Sequence, residues 1–331
     1  MTETAEKYYL GVDVGSISTN IAVINEKREV VESVYIRTEG KPIQSVQKGI
    51  QLMKEKLEKP LVISGAGATG SARRLTGVLI GADIVRNEIT AHALASLNER
   101  KDIQTIIEIG GQDSKIIIIR NSVAVDFAMN TVCAAGTGSF LDQQARRLNV
   151  PIEEFGECAL KSNNPVSIAG RCTVFAESDM VHKQQLGHST NDIIKGLSEA
   201  LVRNYLNNVG KGKEILPPIM FQGGVAANLG IKESFEKTFG YEVIIPKNYD
   251  VMGAIGAAIL AQETMQKTGG TSKFYGWDIP DQKFNSRGFE CDGCPNVCEI
   301  VEIRQNNELI ARWGSRCGKW DDLEVESALT T

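Results

Sequence analysis

Apolar residues in this chain fall into short runs that end in glycine-containing turns, and the same series of runs and turns begins twice. Residues 8–13 form an apolar run that stops at Asp13 and Gly15. Residues 21–24 and 30–31 read as the next strands, with Asn25-Glu26-Lys27-Arg28 as a hairpin turn between them. Apolar positions at Ile43, Val46, Ile50, Met53 and Leu57 keep helical spacing, and 61–63 reads as a short buried strand. Helix-containing segments are expected at 70–79 and 88–97. A second round then starts. Residues 105–109 run as a strand into Gly110-Gly111-Gln112-Asp113, and 115–119 and 123–125 follow as strands around the turn Arg120-Asn121-Ser122. A helical stretch at 189–207, strands at 217–221 and 241–245, and a small-residue helix at 251–266 follow. The duplication is weak in sequence identity, but it predicts an α/β chain with two related halves. Beyond Thr268-Gly269-Gly270-Thr271-Ser272, a linker, the texture becomes aromatic, polar and cysteine-rich.

Three strand-to-turn junctions carry the chemistry. In Asp13-Val14-Gly15-Ser16-Ile17-Ser18-Thr19 the glycine lets backbone N–H groups approach phosphate oxygens, and Ser16, Ser18 and Thr19 supply hydroxyl donors. Asp13, at a strand end, suits hydrated Mg²⁺, which prefers carboxylate and water oxygens. Gly110 and Gly111 repeat this logic in the second half, where Gln112 or Asp113 is placed to orient an attacking water. Gly223 and Gly224 form the third junction, with Asn228 behind them, where a nucleoside can lie against the backbone. Each turn alone is an ordinary glycine turn; the ordered trio points to ATP. A fourth glycine motif, Gly65-Ala66-Gly67-Ala68-Thr69-Gly70, fits the dinucleotide fingerprint, with Asp83 and Glu88 at about the spacing of its ribose-binding acid. Its place between two better phosphate turns argues against a nicotinamide site.

With 331 residues, 42% hydrophobic and 23% charged, the chain has the composition of a soluble globular protein. A net charge of -5 gives no reason to expect nucleic-acid binding. The polar N-terminus and the lack of a long apolar run argue for a cytoplasmic protein without membrane segments. Seven cysteines are unevenly placed for a disulfide framework. Cys133 opens Cys133-Ala-Ala-Gly-Thr-Gly-Ser-Phe140, and Cys172 opens Cys172-Thr-Val-Phe-Ala-Glu-Ser178, each ahead of a segment that reads as a helix start. Helix N-termini favour thiolates and anionic clusters. A cubane cluster needs four thiolates, which a symmetric dimer of such a chain would supply. The competing reading is a pair of buried structural cysteines. Cys158 lacks a glycine context and reads as structural. Cys291, Cys294, Cys298 and Cys317 have the count and spacing of a metal site, for zinc or a second iron–sulfur centre, with unpaired or redox thiols as the competing reading. His92 reads as packing, and His182 and His188 as polar surface.

The motifs Asp13-Val-Gly-Ser16, Gly110-Gly-Gln-Asp113, those opened by Cys133 and Cys172, Gly223-Gly-Val-Ala-Ala-Asn228 and Gly253-Ala-Ile-Gly-Ala257 resemble those of one family in this order. It comprises the ATP-dependent activators of 2-hydroxyacyl-CoA dehydratases and benzoyl-CoA reductases, within the actin, sugar-kinase and heat-shock ATPase superfamily. The resemblance spans roughly residues 8–265. It implies a duplicated actin-like (ribonuclease H-like) core divided at 1–104 and 105–250, with helix 251–266 returning to the first half and 268–331 as a cysteine-rich extension. It also implies a homodimer binding ATP or ADP with Mg²⁺, and one 4Fe–4S cluster held by Cys133 and Cys172 of both subunits. The expected partners are a ferredoxin or flavodoxin donor and an iron–sulfur acceptor enzyme. Helix 189–207 is expected to shift with nucleotide state. Short members of the family end near the small-residue helix, so the extension departs from them. A small-molecule kinase and a non-catalytic nucleotide-binding regulatory module are the alternative readings of the same core.

Overall fold

The computed structural model describes residues 6–321. The first sheet contains β1 (Tyr8–Val14), β2 (Ser18–Asn25), β3 (Val30–Arg37), β4 (Ile63–Thr69) and β5 (Ile84–Val85), in the order β3-β2-β1-β4-β5. The second contains β6 (Thr105–Ile109), β7 (Ser114–Arg120), β8 (Val123–Asn130), β9 (Ile219–Gln222) and β10 (Val243–Ile244), in the order β10-β9-β6-β7-β8. In each sheet three consecutive strands pair antiparallel and two later strands join parallel to the first of the three. The two sheets therefore share one topology, that of the duplicated actin-like ATPase core.

Helices α1 (Pro42–Lys56) and α2 (Arg73–Ile80) cover the outer face of the first sheet. The second sheet is covered by α4 (Gly138–Leu148), α5 (Ile152–Leu160), α6 (Thr173–Gln185), α7 (Thr190–Tyr205) and α8 (Leu229–Phe239). Between the sheets lie α3 (Glu88–Glu99) and α9 (Met252–Thr268), in a shared core with Tyr9, Ile106, Ile117 and Met220. Apolar groups buried on both sides keep the two halves against each other.

The strand expected at 61–63 instead occupies Ile63–Thr69, so Gly65 and Gly67 of the dinucleotide-like motif lie inside β4, with Gly70 just past its end. A Cβ on Gly67 would stand 2.1 Å from the Ala257 carbonyl oxygen, and one on Gly11 in β1 1.9 Å from that of Ala254. These glycines let α9 lie directly on the sheet, a close approach that glycine in a strand often marks. Asp83 does not face a ribose site: its carboxylate accepts from the Ala66 and Lys273 amides at 2.8 Å and from Ser272 Oγ at 2.6 Å. β8 runs on to Asn130, beyond the expected 123–125.

A third sheet follows, β11 (Phe284–Glu290), β12 (Glu299–Gln305) and β13 (Glu308–Trp313), in that order and antiparallel. Its Ile303 and Ala311, with Trp277, Ile279 and Phe284, share a core with Leu10, Ile43 and Ile50 of the first half. Among the described residues no helix is long and apolar enough to cross a membrane.

Candidate functional site

A cleft of about 250 Å³ opens between the two halves, where the first turns of the duplicated sheets face each other. Asp13, Gly15, Ser16 and Ser18 line it from the first half; Gly110, Gly111, Gln112, Asp113, Gly223 and Gly224 line it from the second. Gly223 sits at φ 87°, and a Cβ there would lie 2.5 Å from the Ile109 carbonyl oxygen and 2.8 Å from Glu108 Oε1. Only glycine lets this turn close over β6.

The electrostatic centre is Lys115 on β7. Its side chain is 2% exposed, and its ammonium lies 2.7 Å from Glu108, 2.9 Å from Asp113 and 3.1 Å from Glu88. Burial opposes the charge, but the three carboxylates outweigh it and hold the ammonium above the ordinary lysine range. Asp13 is also buried. Desolvation first, then the charge of Glu88, pushes its pKa up to about 7, against the counteracting field of Lys115. The Asn20 and Thr69 side chains face Asp13 across the sheet in its β-pairs, and Asn20 Oδ1 and Thr69 Oγ1 are buried without a hydrogen-bond partner. A buried carboxylate beside unsatisfied oxygens suits a hydrated divalent cation.

Two hydrogen-bond routes leave this cleft for the cysteines. The Gly111 carbonyl accepts from the Ser139 amide at 2.9 Å and from Ser139 Oγ at 2.6 Å, and the Gly110 carbonyl accepts from the Gly138 amide at 2.9 Å. The N-terminus of α4 is thereby docked on the glycine turn, and the Cys133 turn runs straight into that helix. On the other route, Tyr205 Oη at the end of α7 donates to the Lys115 carbonyl at 2.7 Å. The preceding residue, Asn204, donates from Nδ2 to the Gly170 carbonyl at 2.7 Å and lies 4.0 Å from Cys133 Sγ. Asn204 thus joins the Cys133 turn to the loop before Cys172. A π-helical turn, Leu206–Gly210, follows at once; such turns recur at functional sites.

Residues 10–261 match the model of the BadF/BadG/BcrA/BcrD ATPase family. The chain belongs to that family. It is 33% identical over 270 residues to the (R)-2-hydroxyglutaryl-CoA dehydratase activating ATPase of Acidaminococcus fermentans, a match spanning 78% of this chain and 99% of the relative. The crystal structure of component A of the Acidaminococcus fermentans (R)-2-hydroxyglutaryl-CoA dehydratase matches with a TM-score of 0.69 and 31% identity, covering 78% of this chain and 98% of the other. The activator of the 2-hydroxyisocaproyl-CoA dehydratase from Clostridium difficile, with bound ADPNP, gives 0.69 and 30%, covering 79% and 97%.

Within this ATPase fold, two sequence-expected phosphate and nucleoside residues fall outside the cleft. Thr19 alternates to the opposite face of β2, fully buried, with its hydroxyl against Thr38 and Ser45. Asn228 is the N-cap of α8, and its Oδ1 accepts from the Ile231 amide. Glu108 and Lys115 were not singled out from the sequence as site residues, because a lysine inside an apolar strand carries no motif. Glu88 stands out in the sequence only as a ribose-binding acid of the dinucleotide-like motif, whereas it pairs with Lys115 at the cleft. His92 is buried as expected of a packing residue, but it also borders the cleft, where Gln222 Nε2 lies 2.9 Å from its Nδ1. Burial foremost, with the Lys115 charge next, lowers the His92 pKa to about 4, so the ring is neutral.

Cys133 and Cys172 are half-buried free thiols, each at the N-cap of a helical segment: the Ala134–Gly136 turn and α6. Asn130 clamps the Cys133 turn, accepting from the Cys133 amide at 2.9 Å and donating to its carbonyl at 2.8 Å. Around the two thiols Val132 is 95% exposed and Val174 and Phe175 are each 65% exposed, an apolar surface of the kind that marks a contact face. Cys158 packs against the second-half core. No group of three or more His, Cys, Asp or Glu side chains arranged to hold a metal ion occurs among the described residues.

Proposed function

We propose that this ATPase activates a partner iron–sulfur enzyme by passing it single electrons, with nucleotide turnover in the cleft controlling Cys133 and Cys172. The observation that carries this reading is the direct bonding of the cleft to both cysteine loops, through Ser139 and through the Tyr205–Asn204 pair. The relatives named above, activators of 2-hydroxyacyl-CoA dehydratases, support the same class of partner.

Each residue has a task in that scheme. Deprotonated Asp13 would hold Mg²⁺ through water, while Gly15, Ser16, Ser18, Gly110 and Gly111 would line the phosphates and Gly223 and Gly224 the nucleoside. Asp113 is committed to Lys115, which leaves the exposed Gln112 as the residue to orient the attacking water. When the terminal phosphate is lost, the Gly110–Gly111 turn rearranges and carries α4 and the Cys133 turn with it. α7 follows through Tyr205, as the helix expected to respond to nucleotide.

Cys133 and Cys172 fit as half of a ligand set: two free thiols at helical N-caps, joined by one asparagine and ringed by exposed apolar residues. A second copy of the chain would complete four thiolates on a two-fold axis. A [4Fe–4S] cluster bound there would supply a one-electron store. A ferredoxin- or flavodoxin-type carrier is the matching donor. Such coupling requires that the two nucleotide states differ in partner affinity and in the surroundings of the thiols.

Iron and acid-labile sulfide, measured after anaerobic purification, test the assignment. Wild type is expected to carry about four iron per dimer, and Cys133→Ala to lose them together with half of the symmetric thiol set. Iron content unchanged by Cys133→Ala would overturn the thiol assignment.

A further inference from the structure

We propose that Cys291, Cys294, Cys298 and Cys317 form a tetrathiolate site for one Zn²⁺ ion, which staples the C-terminal sheet at its open end. The family match ends at residue 261, so this site stands apart from the nucleotide reading.

Strand register brings the first pair together. β11 and β12 pair as far as Glu290 and Glu299, and the Cys291 amide then donates to the Cys298 carbonyl at 2.8 Å. Cys291 and Cys298 therefore stand opposite each other one step past the ladder, a position in which side chains share a face about 5 Å apart. Cys294 lies in the short loop between them. Its carbonyl accepts from the Val297 amide at 3.2 Å, and Val297 has φ 42°, an outlier for a β-branched residue that a closed turn explains. Within the Cys-x-x-Cys turn the Gly293 amide donates to Cys291 Sγ at 3.4 Å.

The fourth thiol arrives from the other edge. β13 pairs with β12 up to Trp313 opposite Val301, and the chain then crosses the start of β12 at Gly314, where a Cβ would lie 2.2 Å from the Glu299 carbonyl oxygen. The turn that carries Cys317 is fixed by Trp320 N donating to Ser315 Oγ at 3.1 Å. Trp320 Nε1 in turn donates to Cys291 Sγ at 3.1 Å. The loop of the fourth cysteine is thus bonded to the sulfur of the first. Lys319 and Arg312 lie over the Trp320 ring at 5.7 and 5.0 Å, positive charge for a site whose four thiolates and Zn²⁺ sum to a dianion.

The chemistry of the sheet selects a structural ion. Ile300, Ile303 and Ala311 are buried, whereas Cys294 and Cys317 at the open end are exposed, and the Phe289–Trp320 ring pair is an aromatic contact there. A small sheet end without a core is held by disulfides or by metal. Cys-x-x-Cys with two further cysteines gives the closed four-sulfur coordination typical of structural zinc. The turns gather the thiols at one end without closing them on a centre. Binding draws Cys294 and Cys317 inward and releases the thiol protons to solvent.

Elemental analysis and zinc-edge X-ray absorption of the full chain test this, with Cys317→Ser, Cys294→Ser and Cys133→Ala as variants. Expected are about one zinc per chain and four sulfur neighbours at about 2.3 Å, with zinc lost in the first two variants and retained in Cys133→Ala. Should a variant fail to fold, the wild-type coordination decides by itself. Zinc absent from wild type, fewer than four sulfur neighbours, or iron rather than zinc lost in Cys317→Ser overturns the proposal.

Discussion

Replacing Lys115 by methionine is the most informative perturbation of the cleft. The ammonium, 2% exposed, is the cation facing Glu108, Asp113 and Glu88 at 2.7, 2.9 and 3.1 Å, and it also offsets the burial of Asp13. Methionine keeps the volume but leaves several carboxylates without a counter-charge. Removing one partner of a buried ion pair costs about 3–5 kcal/mol, because the remaining charge stays buried and unpaired. The sign with pH follows from linkage. In wild type the raised Lys115 pKa gives a stabilisation fully present below the unfolded value of 10.5, so it is constant across the neutral range. In the variant Glu108, which burial already pushes up against the pull of Lys115, keeps a folded pKa above its unfolded one, so the folded state holds an extra proton and stability falls as pH rises. Chemical denaturation should therefore show a deficit of about 3–5 kcal/mol near pH 8 that shrinks to about half near pH 5.5. The pair Lys115→Met with Glu108→Gln should recover a large part of the loss. A deficit below about 1 kcal/mol, or one independent of pH, would refute the reasoning.

Four further outcomes are expected. Because the Asp13 pKa is raised to about 7, Mg²⁺-dependent ATP affinity should weaken as pH falls below that value, approaching tenfold per pH unit, and Asp13→Asn should lack this slope in an equilibrium titration. The same raised pKa contributes stability that is lost as pH rises through about 7, so ligand-free Asp13→Asn should melt higher than wild type near pH 8 while binding nucleotide worse. Tyr205→Phe removes the 2.7 Å bond to Lys115 and should make alkylation of Cys133 in cluster-free protein insensitive to ATP against ADP, with nucleotide affinity changed less than about threefold; retained nucleotide sensitivity would count against that route. Gly67→Ala should cost at least about 2 kcal/mol in denaturation, since its Cβ would stand 2.1 Å from the Ala257 carbonyl oxygen; a near-neutral result would mean that α9 can lift off the sheet.

The relation of chain to fold differs from one element to the next. β1 and β6 were legible because each is an apolar run ended by a glycine turn, and helix α1 because five apolar positions keep its period. β4 was misplaced because glycines in a strand look like a turn until the helix they admit is known. The glycine turns that line the cleft could be recognised from local backbone needs, which a few adjacent residues state in full. Thr19 shows the limit of such recognition: it lies next to the turn in sequence, yet strand alternation turns it to the opposite face.

The sequence alone determined the duplicated architecture, the glycine turns at the strand ends, and the pairing of two cysteines with helix starts. These are local properties of composition and period. Only the tertiary structure decided that Lys115 lies among Glu88, Glu108 and Asp113, and that Tyr205 and Asn204 tie that site to both cysteine loops. Glu88 and Tyr205 are far from Lys115 along the chain, as Asn204 is from Gly170, while Glu108 comes beside Lys115 through the register of the β6–β7 hairpin. The charges and hydrogen bonds acquire their strength only when packing excludes water from between them.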